Sequence, residues 1–461
     1  MQEFGIVLSL VCLIFMAYRG FSVIFFAPVF ALLAAFASGY ELLPTYTEMF
    51  MPRAAGYFKS FFPVFLLGAV FGKVMEDTGL AKSIARSIVQ ALGVDRAIYA
   101  IVLSAAILVY GGISLFVVAF AVYPFAASLF KQADIPKRLI PGTIALGSFT
   151  FAMDCLPGSP QIQNIIPTKY FGTDAYAAPI AGIIGACIIF VGGMAWLEFR
   201  RKQAQKNGEG YGAHTLNEPT PSADDEKLPG IALAILPLLV VLVGNFVLTK
   251  SIATWSPAIM ARYPGAAAFS TVIGTWALIA ALLLGIMVAL ALGFSAIKQK
   301  GIAKSLNIGV MGSLLAIMNT ASEVGYGNVI AMLPGFKSIA AALMSIGAGG
   351  NPLWSEAVSV TTLAGITGSG SGGLSIALET MSTQYIAWAN QAGISMELLH
   401  RIGAMACGGM DTLPHNGAVI TLLAICGLTH RESYKDIFAV TVLKTSTVFI
   451  VIAIVTVFGI K

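Results

Sequence analysis

Met153-Asp154-Cys155-Leu156-Pro157-Gly158-Ser159-Pro160-Gln161 interrupts an apolar run, and Met410-Asp411-Thr412-Leu413-Pro414-His415-Asn416-Gly417 does so again, Asp411 standing 257 residues after Asp154. Proline and glycine stop a helix, so each stretch reads as a helix that ends and restarts. The same 257-residue offset carries Gly111-Gly112-Ile113-Ser114 onto Gly368-Ser369-Gly370-Ser371. It also carries Ala181, in the first turns of the fifth crossing, onto Phe438, where the tenth begins. Two motifs and a boundary in one register indicate a duplicated unit. Upstream, Glu76-Asp77-Thr78-Gly79 matches Ser322-Glu323-Val324-Gly325 at an offset of 246, which implies an insertion of about eleven residues between the blocks.

The composition says what surrounds these breaks. Of 461 residues, 57% are hydrophobic and 11% charged, against about 25% charged in a soluble domain. Mean hydropathy is +0.84. So few charges cannot clothe a water-facing surface, and 48 glycines with 17 methionines suit helices packed in lipid. A net charge of +5 is too small to indicate a nucleic-acid partner. Cys12, Cys155, Cys187, Cys407 and Cys426 show no metal or redox spacing and read as buried packing residues. No cofactor or metal is expected. Met1-Gln2-Glu3 lacks the basic start of a cleavable signal peptide.

At about 20 apolar residues per crossing, spans are expected near 4–18, 21–38, 57–79, 139–171, 176–198, 230–249, 268–295, 305–325, 400–428 and 438–460. Glycine-interrupted runs 97–131 and 352–390 read as re-entrant hairpins. The expected fold is an all-α polytopic membrane protein of two inverted repeats. Each has about five crossings, a hairpin and a broken helix. The repeats are 1–199 and 230–461, and the polar tract 200–229 is a flexible linker between them. Lys and Arg gather on the face that receives Lys82, Arg86, Lys131, Arg138, the linker, Lys298 and Lys304; Arg53, Lys169, Lys250 and Arg401 fall opposite. By the positive-inside rule the linker is cytoplasmic and both termini are outside. Lys73 and Lys444 read as snorkelling side chains, and Gly325-Tyr326-Gly327 as the end of the eighth span.

Broken backbone at membrane depth is tolerated where protein or a water-filled cavity satisfies it. At the hairpin tips, Gly111, Gly112 and Ser114, and Gly368, Ser369, Gly370, Ser371 and Gly372, would present bare amides and hydroxyls to a carboxylate at a helix N-terminus. Packing of small residues is the alternative role for these tips. In the breaks, Gly158, Ser159, Gln161, His415 and Asn416 are candidates for reading substrate hydroxyls. Asp154, Asp411, Glu323 and His415 are candidates for carrying a coupling proton. Helix capping is an equal reading for the two aspartates, and a solvated helix end for Glu76 and Asp77.

The runs Gly72–Gly79, Gly111–Phe116, Gly368–Glu379 and Met410–Leu423 resemble the gluconate:proton symporter (GntP) family. They are most similar to its branch of D-beta-hydroxybutyrate permeases. The resemblance implies a multi-pass importer of the bacterial inner membrane, with both termini periplasmic, that moves a small hydroxy-monocarboxylate with protons. It also implies membership of the ion transporter superfamily, whose members form homodimers and move in an elevator-like manner. Substrate contacts then fall at Gly112, Ser114, Ser369, Ser371 and Asn416. Ser369-Gly370-Ser371 stands where sodium-coupled dicarboxylate relatives carry Ser-Asn-Thr, which argues for a proton and one carboxylate. A sodium-coupled carboxylate symporter is the alternative. A channel, and an intramembrane enzyme built on Asp154 and Asp411, are more distant ones. HExxH is absent from the sequence.

Overall fold

About 20 apolar residues span some 30 Å of hydrocarbon, and six helices of the computed structural model meet that requirement, or seven if one bent pair is counted as a single span. The structure describes residues 2–19, 21–113, 115–218, 228–263, 268–346, 350–414 and 416–460. Among them every regular element is a helix. In order these are α1 (Gln2–Tyr18), α2 (Val23–Ala37), α3 (Leu42–Asp77), α4 (Leu80–Leu92), α5 (Ala97–Tyr110), α6 (Leu115–Gln132), α7 (Ile140–Ser148), α8 (Phe151–Asp154), α9 (Ile162–Phe171) and α10 (Pro179–Lys206). The series continues with α11 (Ile231–Ala253), α12 (Phe269–Leu292), α13 (Phe294–Lys300), α14 (Ile302–Met332), α15 (Phe336–Ser345), α16 (Pro352–Thr367), α17 (Gly370–Ala392), α18 (Met396–Gly409), α19 (Gly417–Cys426) and α20 (His430–Phe458).

The long apolar helices are α3, α10, α11, α12, α14 and α20. Their outer faces carry Val191, Val243, Val247, Met287, Leu315 and Val442, all at least half exposed, as lipid-facing helices require. Polar and charged side chains are packed inward instead. The expected crossings at 4–18 and 21–38 form α1 and α2, of 17 and 15 residues, which reach only about 22–26 Å at 1.5 Å per residue. They pack against each other, and α2 also packs on α14.

A similar order of elements recurs along the chain. Helices α3 and α14 pack along one another, and each is followed by a short amphipathic helix, α4 or α15. Next come the paired arms α5–α6 and α16–α17, and then the interrupted helices α7–α8–α9 and α18–α19. The long helices α10 and α20 close the two series and also pack together. The hairpin arms stop where glycine permits a left-handed turn: Gly112 has φ +96° and Gly368 φ +67°. Between α4 and α5 the chain turns through 108°.

Three expectations change. Gly325-Tyr326-Gly327 does not end the eighth span: α14 runs on to Met332, with Gly325 under Phe50 and Gly327 under Ile376. Their small size admits neighbours rather than breaking the helix. Cys187 is exposed on α10, and Cys12 is partly exposed, so only Cys155, Cys407 and Cys426 are buried packing residues. The polar tract is not flexible along its first part. Helix α10 continues to Lys206, Arg138 grips Glu209 with two bonds of 2.6 and 2.7 Å, Lys137 pairs with Glu218 at 2.7 Å, and Asn217 donates to the Ala424 carbonyl.

The bare Cβ-less approach of Gly373 to the Ala364 backbone lets α16 and α17 touch. Gly373→Ala is therefore expected to cost about 1–3 kcal/mol by overpacking. Gly312→Ala, at an open position on α14, is expected to be neutral or to gain up to about 1 kcal/mol. Thermal unfolding of the purified variants checks both. A second expectation concerns the docked tract: the Arg138 guanidinium holds the Glu209 carboxyl below its usual range. A carboxyl lowered by folding stabilises above its unfolded value of about 4.3, and that contribution fades as pH falls through the lowered folded value. Limited proteolysis of the 207–218 segment should thus quicken below about pH 4 and stay constant from about pH 5 to 8. Acid-insensitive cleavage would place the docking on other contacts.

Candidate functional site

Removing a carboxylate from water costs several kcal/mol unless a base or donors replace the lost hydration, so the buried acids of this chain report what surrounds them. Asp154 ends α8 and Asp411 opens the second break; both are buried, at 1% and 8% exposure. Neither caps the restarting helix. Between them lies the Lys444 amine of α20, 3.5 Å from Asp154 Oδ2 and 3.1 Å from Asp411 Oδ1, which also donates to the Phe149 carbonyl. Gly408 leaves room for this triad, since a Cβ there would strike Asp154 and Lys444. Lys444 therefore does not snorkel: it is held inside by two carboxylates contributed by equivalent positions of the two halves.

A second buried base completes the charge balance. Arg401 was expected among the charges on the outer face, yet it is fully buried on α18. Its guanidinium donates to the carbonyls of Ala175, Ala177 and Asp154 and to Asn164 Oδ1, at 2.8–3.2 Å. Every donor of the fork is occupied, so it binds the first break to the α9–α10 connection. Beside it, His400 is buried too, bonded to Thr173 Oγ1 and Asn164 Oδ1. Asp154, Asp411, Lys444 and Arg401 together sum to zero charge. The two aspartates do face each other, as the enzyme reading asked, but across a lysine amine rather than a shared proton.

The capping positions belong to the carboxamides. Gln161 precedes α9 and Asn416 precedes α19, an offset of 255 residues. Asn416 Oδ1 accepts from the Ala418 amide at 2.7 Å, while its Nδ2 donates to the Gly368 carbonyl at 2.6 Å. Gln161 Nε2 donates to the Val109 and Ile113 carbonyls at 2.8 and 3.2 Å. In each half a carboxamide thus ties the break to its own hairpin tip. Ser159 Oγ is spent on the Ala152 and Met153 carbonyls. Gly158, at φ +82°, donates its amide to Ala175 O and packs under Tyr176. These two expected substrate contacts are therefore structural supports of the break. Ser114 and His415 lie outside the described residues.

The two tips differ in character. At the first, the Gly111, Gly112 and Ile113 amides are all bonded to carbonyls of α5, and the glycines face Leu238, Val241, Phe71 and Pro160. That surface is apolar and reads as packing. At the second, Ser369 caps α17 by accepting from the Gly372 amide at 3.1 Å, and its hydroxyl stands 3.5 Å from that of Ser371. First-turn amides have no partner within their helix, which leaves Gly370 and Ser371 presenting N–H groups at the positive end of α17. Two protein carboxylates face this end. Asp411 Oδ2 lies against Gly370, and Glu323 Oε2 of α14 lies against Gly372, where any Cβ would overlap it. Tyr57 of α3 and Ser375 of α17 sit together beside Glu323, whose Oε2 is buried without a hydrogen-bond partner among the described residues.

Of the four expected proton carriers, Asp154 and Asp411 are paired with a base, His415 is not described, and Glu323 is buried at 4% exposure with no base in an ion pair among the described residues. Glu379 is paired with Arg53 at 3.3 Å and accepts from Tyr170 at 2.7 Å, while Lys73 pairs with Glu76 and Asp77 at the end of α3. Sequence reasoning missed Arg401, Lys444 and Tyr57 as parts of this centre, and also Glu356. Lys444 had a usable signal, being a lone base flanked by apolar turns in the helix after an Asp-bearing break.

Comparison with known proteins gives three findings. The family model described as GntP family permease matches residues 3–355. The uncharacterized transporter YxjC of Bacillus subtilis (strain 168) is 50% identical over 473 residues, covering 100% of both chains. The crystal structure of the Alcanivorax borkumensis YdaH transporter, described as revealing an unusual topology, aligns with a TM-score of 0.51 at 15% identity, over 90% of this chain and 88% of that one. At that identity the likeness is one of fold.

Lys444→Met leaves two buried carboxylates without their base and is expected to cost about 3–5 kcal/mol. Adding Asp154→Asn and Asp411→Asn to it should restore most of the loss, because the remaining groups are neutral. Thermal unfolding in detergent distinguishes this from a triad that contributes nothing, in which all variants would melt together.

Proposed function

The chain belongs to the GntP permease family, and from that premise we propose that it is a proton-coupled importer of a small hydroxy-monocarboxylate of the 3-hydroxybutyrate or gluconate type. The family places it among multi-pass membrane transporters of small molecules; the substrate and the coupling ion are the further step. The observation that carries this step is the placement of Glu323 and Asp411 against the first turn of α17. That turn is built for an anion, yet two carboxylates already face it. A substrate carboxylate cannot join them while both are ionised, because like charges at such range repel strongly. In this reading Asp411, 3.1 Å from the Lys444 amine, is the charged partner of the two. A proton on Glu323 then admits the substrate, and its loss expels it.

In this reading the substrate carboxylate takes the Gly370 and Ser371 amides and the Ser371 hydroxyl. One positive helix end, already flanked by acids, suits one carboxylate rather than two. The second Nδ2 proton of Asn416, beside the tip, is available for a substrate hydroxyl. The arrangement is further supported by the recurring element order, which we read as two repeats of opposite orientation in the bacterial inner membrane, with both termini periplasmic. Tips tied to breaks by Gln161 and Asn416 would move as one body, as an elevator-like step in a homodimer asks.

Uptake of labelled 3-hydroxybutyrate into proteoliposomes is expected to accelerate under an inward proton gradient and not under a sodium gradient. Glu323→Gln should bring the gradient-driven rate down to that without a gradient. Uptake driven by sodium alone, or an undiminished response in Glu323→Gln, would reject the proton reading.

A further inference from the structure

Glu356 lies one turn inside α16, with 0% of its surface exposed. Neither of its carboxylate oxygens has a hydrogen-bond partner among the described residues. Its head group is aimed at α18, where Gly403 removes the side chain that would meet it: a Cβ there would stand 2.9 Å from Glu356 Oε1. Leu374 of α17 closes the far side. Ser359, one turn along α16, has a buried hydroxyl that lies beside Tyr385 of α17. The chamber therefore gives the carboxylate oxygens of Glu356 no hydrogen-bond donor among the described residues.

The groups around it are distinct from those of the tip. From α17, Tyr385 is the titratable side chain that faces Glu356. On α18, His400 turns to Thr173 and Asn164, and Arg401 to the carbonyls of Ala175 and Ala177. On α20, Lys444 is committed to Asp154 and Asp411. On α1, Glu3 is exposed, and the Lys337 side chain of α15 lies outside the described ones. The position 257 residues earlier is Tyr99, so the first half has no counterpart.

An isolated ionised carboxylate in such surroundings costs far more than a protonated one. We infer that Glu356 is a second proton-binding site, occupied by a proton when α16 is closed on α18. A monovalent cation would need several oxygen ligands around it, and the packing supplies Leu374 and a glycine instead. The proton has to leave before the site can hold charge, and it can leave only when the α16–α18 contact opens. Any share in transport rests on the reading given for Glu323; binding of the proton does not.

Infrared difference spectroscopy on the full-length protein in lipid tests the site without transport. The wild-type minus Glu356→Gln spectrum at neutral pH should show a protonated-carboxyl C=O band, shifted by deuterium exchange and unaffected by sodium. No such band, or a band lost on adding sodium, overturns the assignment. As a second readout, the melting temperature of Glu356→Gln should rise relative to wild type between about pH 5 and about pH 8, because the amide needs no proton. A difference independent of pH would mean a purely structural residue. If the band is present but wild-type uptake ignores a proton gradient, the coupling reading fails and the proton site stands.

Discussion

One amine between two carboxylates organises this molecule. Asp154 and Asp411 are both buried, and the Lys444 amine between them is the group that allows both to be present. Because the two acids come from equivalent breaks, the amine also sets how the halves meet. Gly408 and the carbonyl of Phe149 follow from it, the first by making space and the second by taking the remaining donor. Arg401 performs the matching task for the first break, at the cost of every donor it owns. Satisfied buried networks of this kind specify one arrangement, because any slip leaves a charge alone.

The order of elements recurs along the chain, but the chemistry at the corresponding positions differs. Both tips are tied to their breaks by a carboxamide, a relation that survives in each half although glutamine does it in one and asparagine in the other. The first tip is an apolar joint under Leu238 and Val241, while at the second two acids face the first turn of α17. Lys444 corresponds to Cys187 and Glu356 to Tyr99, so neither group has a counterpart in the first half. A symmetric scaffold thus carries a polar centre that is not symmetric.

Much of this was legible in the sequence, and the limits have physical causes. The breaks, the tips and their shared offset were readable because glycine and proline act locally on the backbone. The stopping points of helices were less so: Gly325 and Gly327 look like punctuation but serve as contact surface within α14, since a small residue has the same letters for either purpose. Burial was the harder quantity. Lys444 and Arg401 could be placed by depth only at the ends of spans, because a linear chain does not show which carboxylate or carbonyl will come across to meet a base. Glu356, one turn inside a helix, is covered only once α17 and α18 are packed over it. The roles of Gln161, Asn416 and Ser159 were foreseen as polar but aimed at a substrate, whereas broken helices have carbonyls of their own to satisfy first.

The distance along the chain between the charged partners has a consequence for biosynthesis. Asp154 emerges 290 residues before Lys444, so during translation it must wait with its charge unmatched while most of the later helices are made. The first half cannot settle into its final lipid-buried form as an independent unit. It has to stay loosely inserted, or keep that acid protonated or near the aqueous boundary, until the final long helix arrives and locks both halves together.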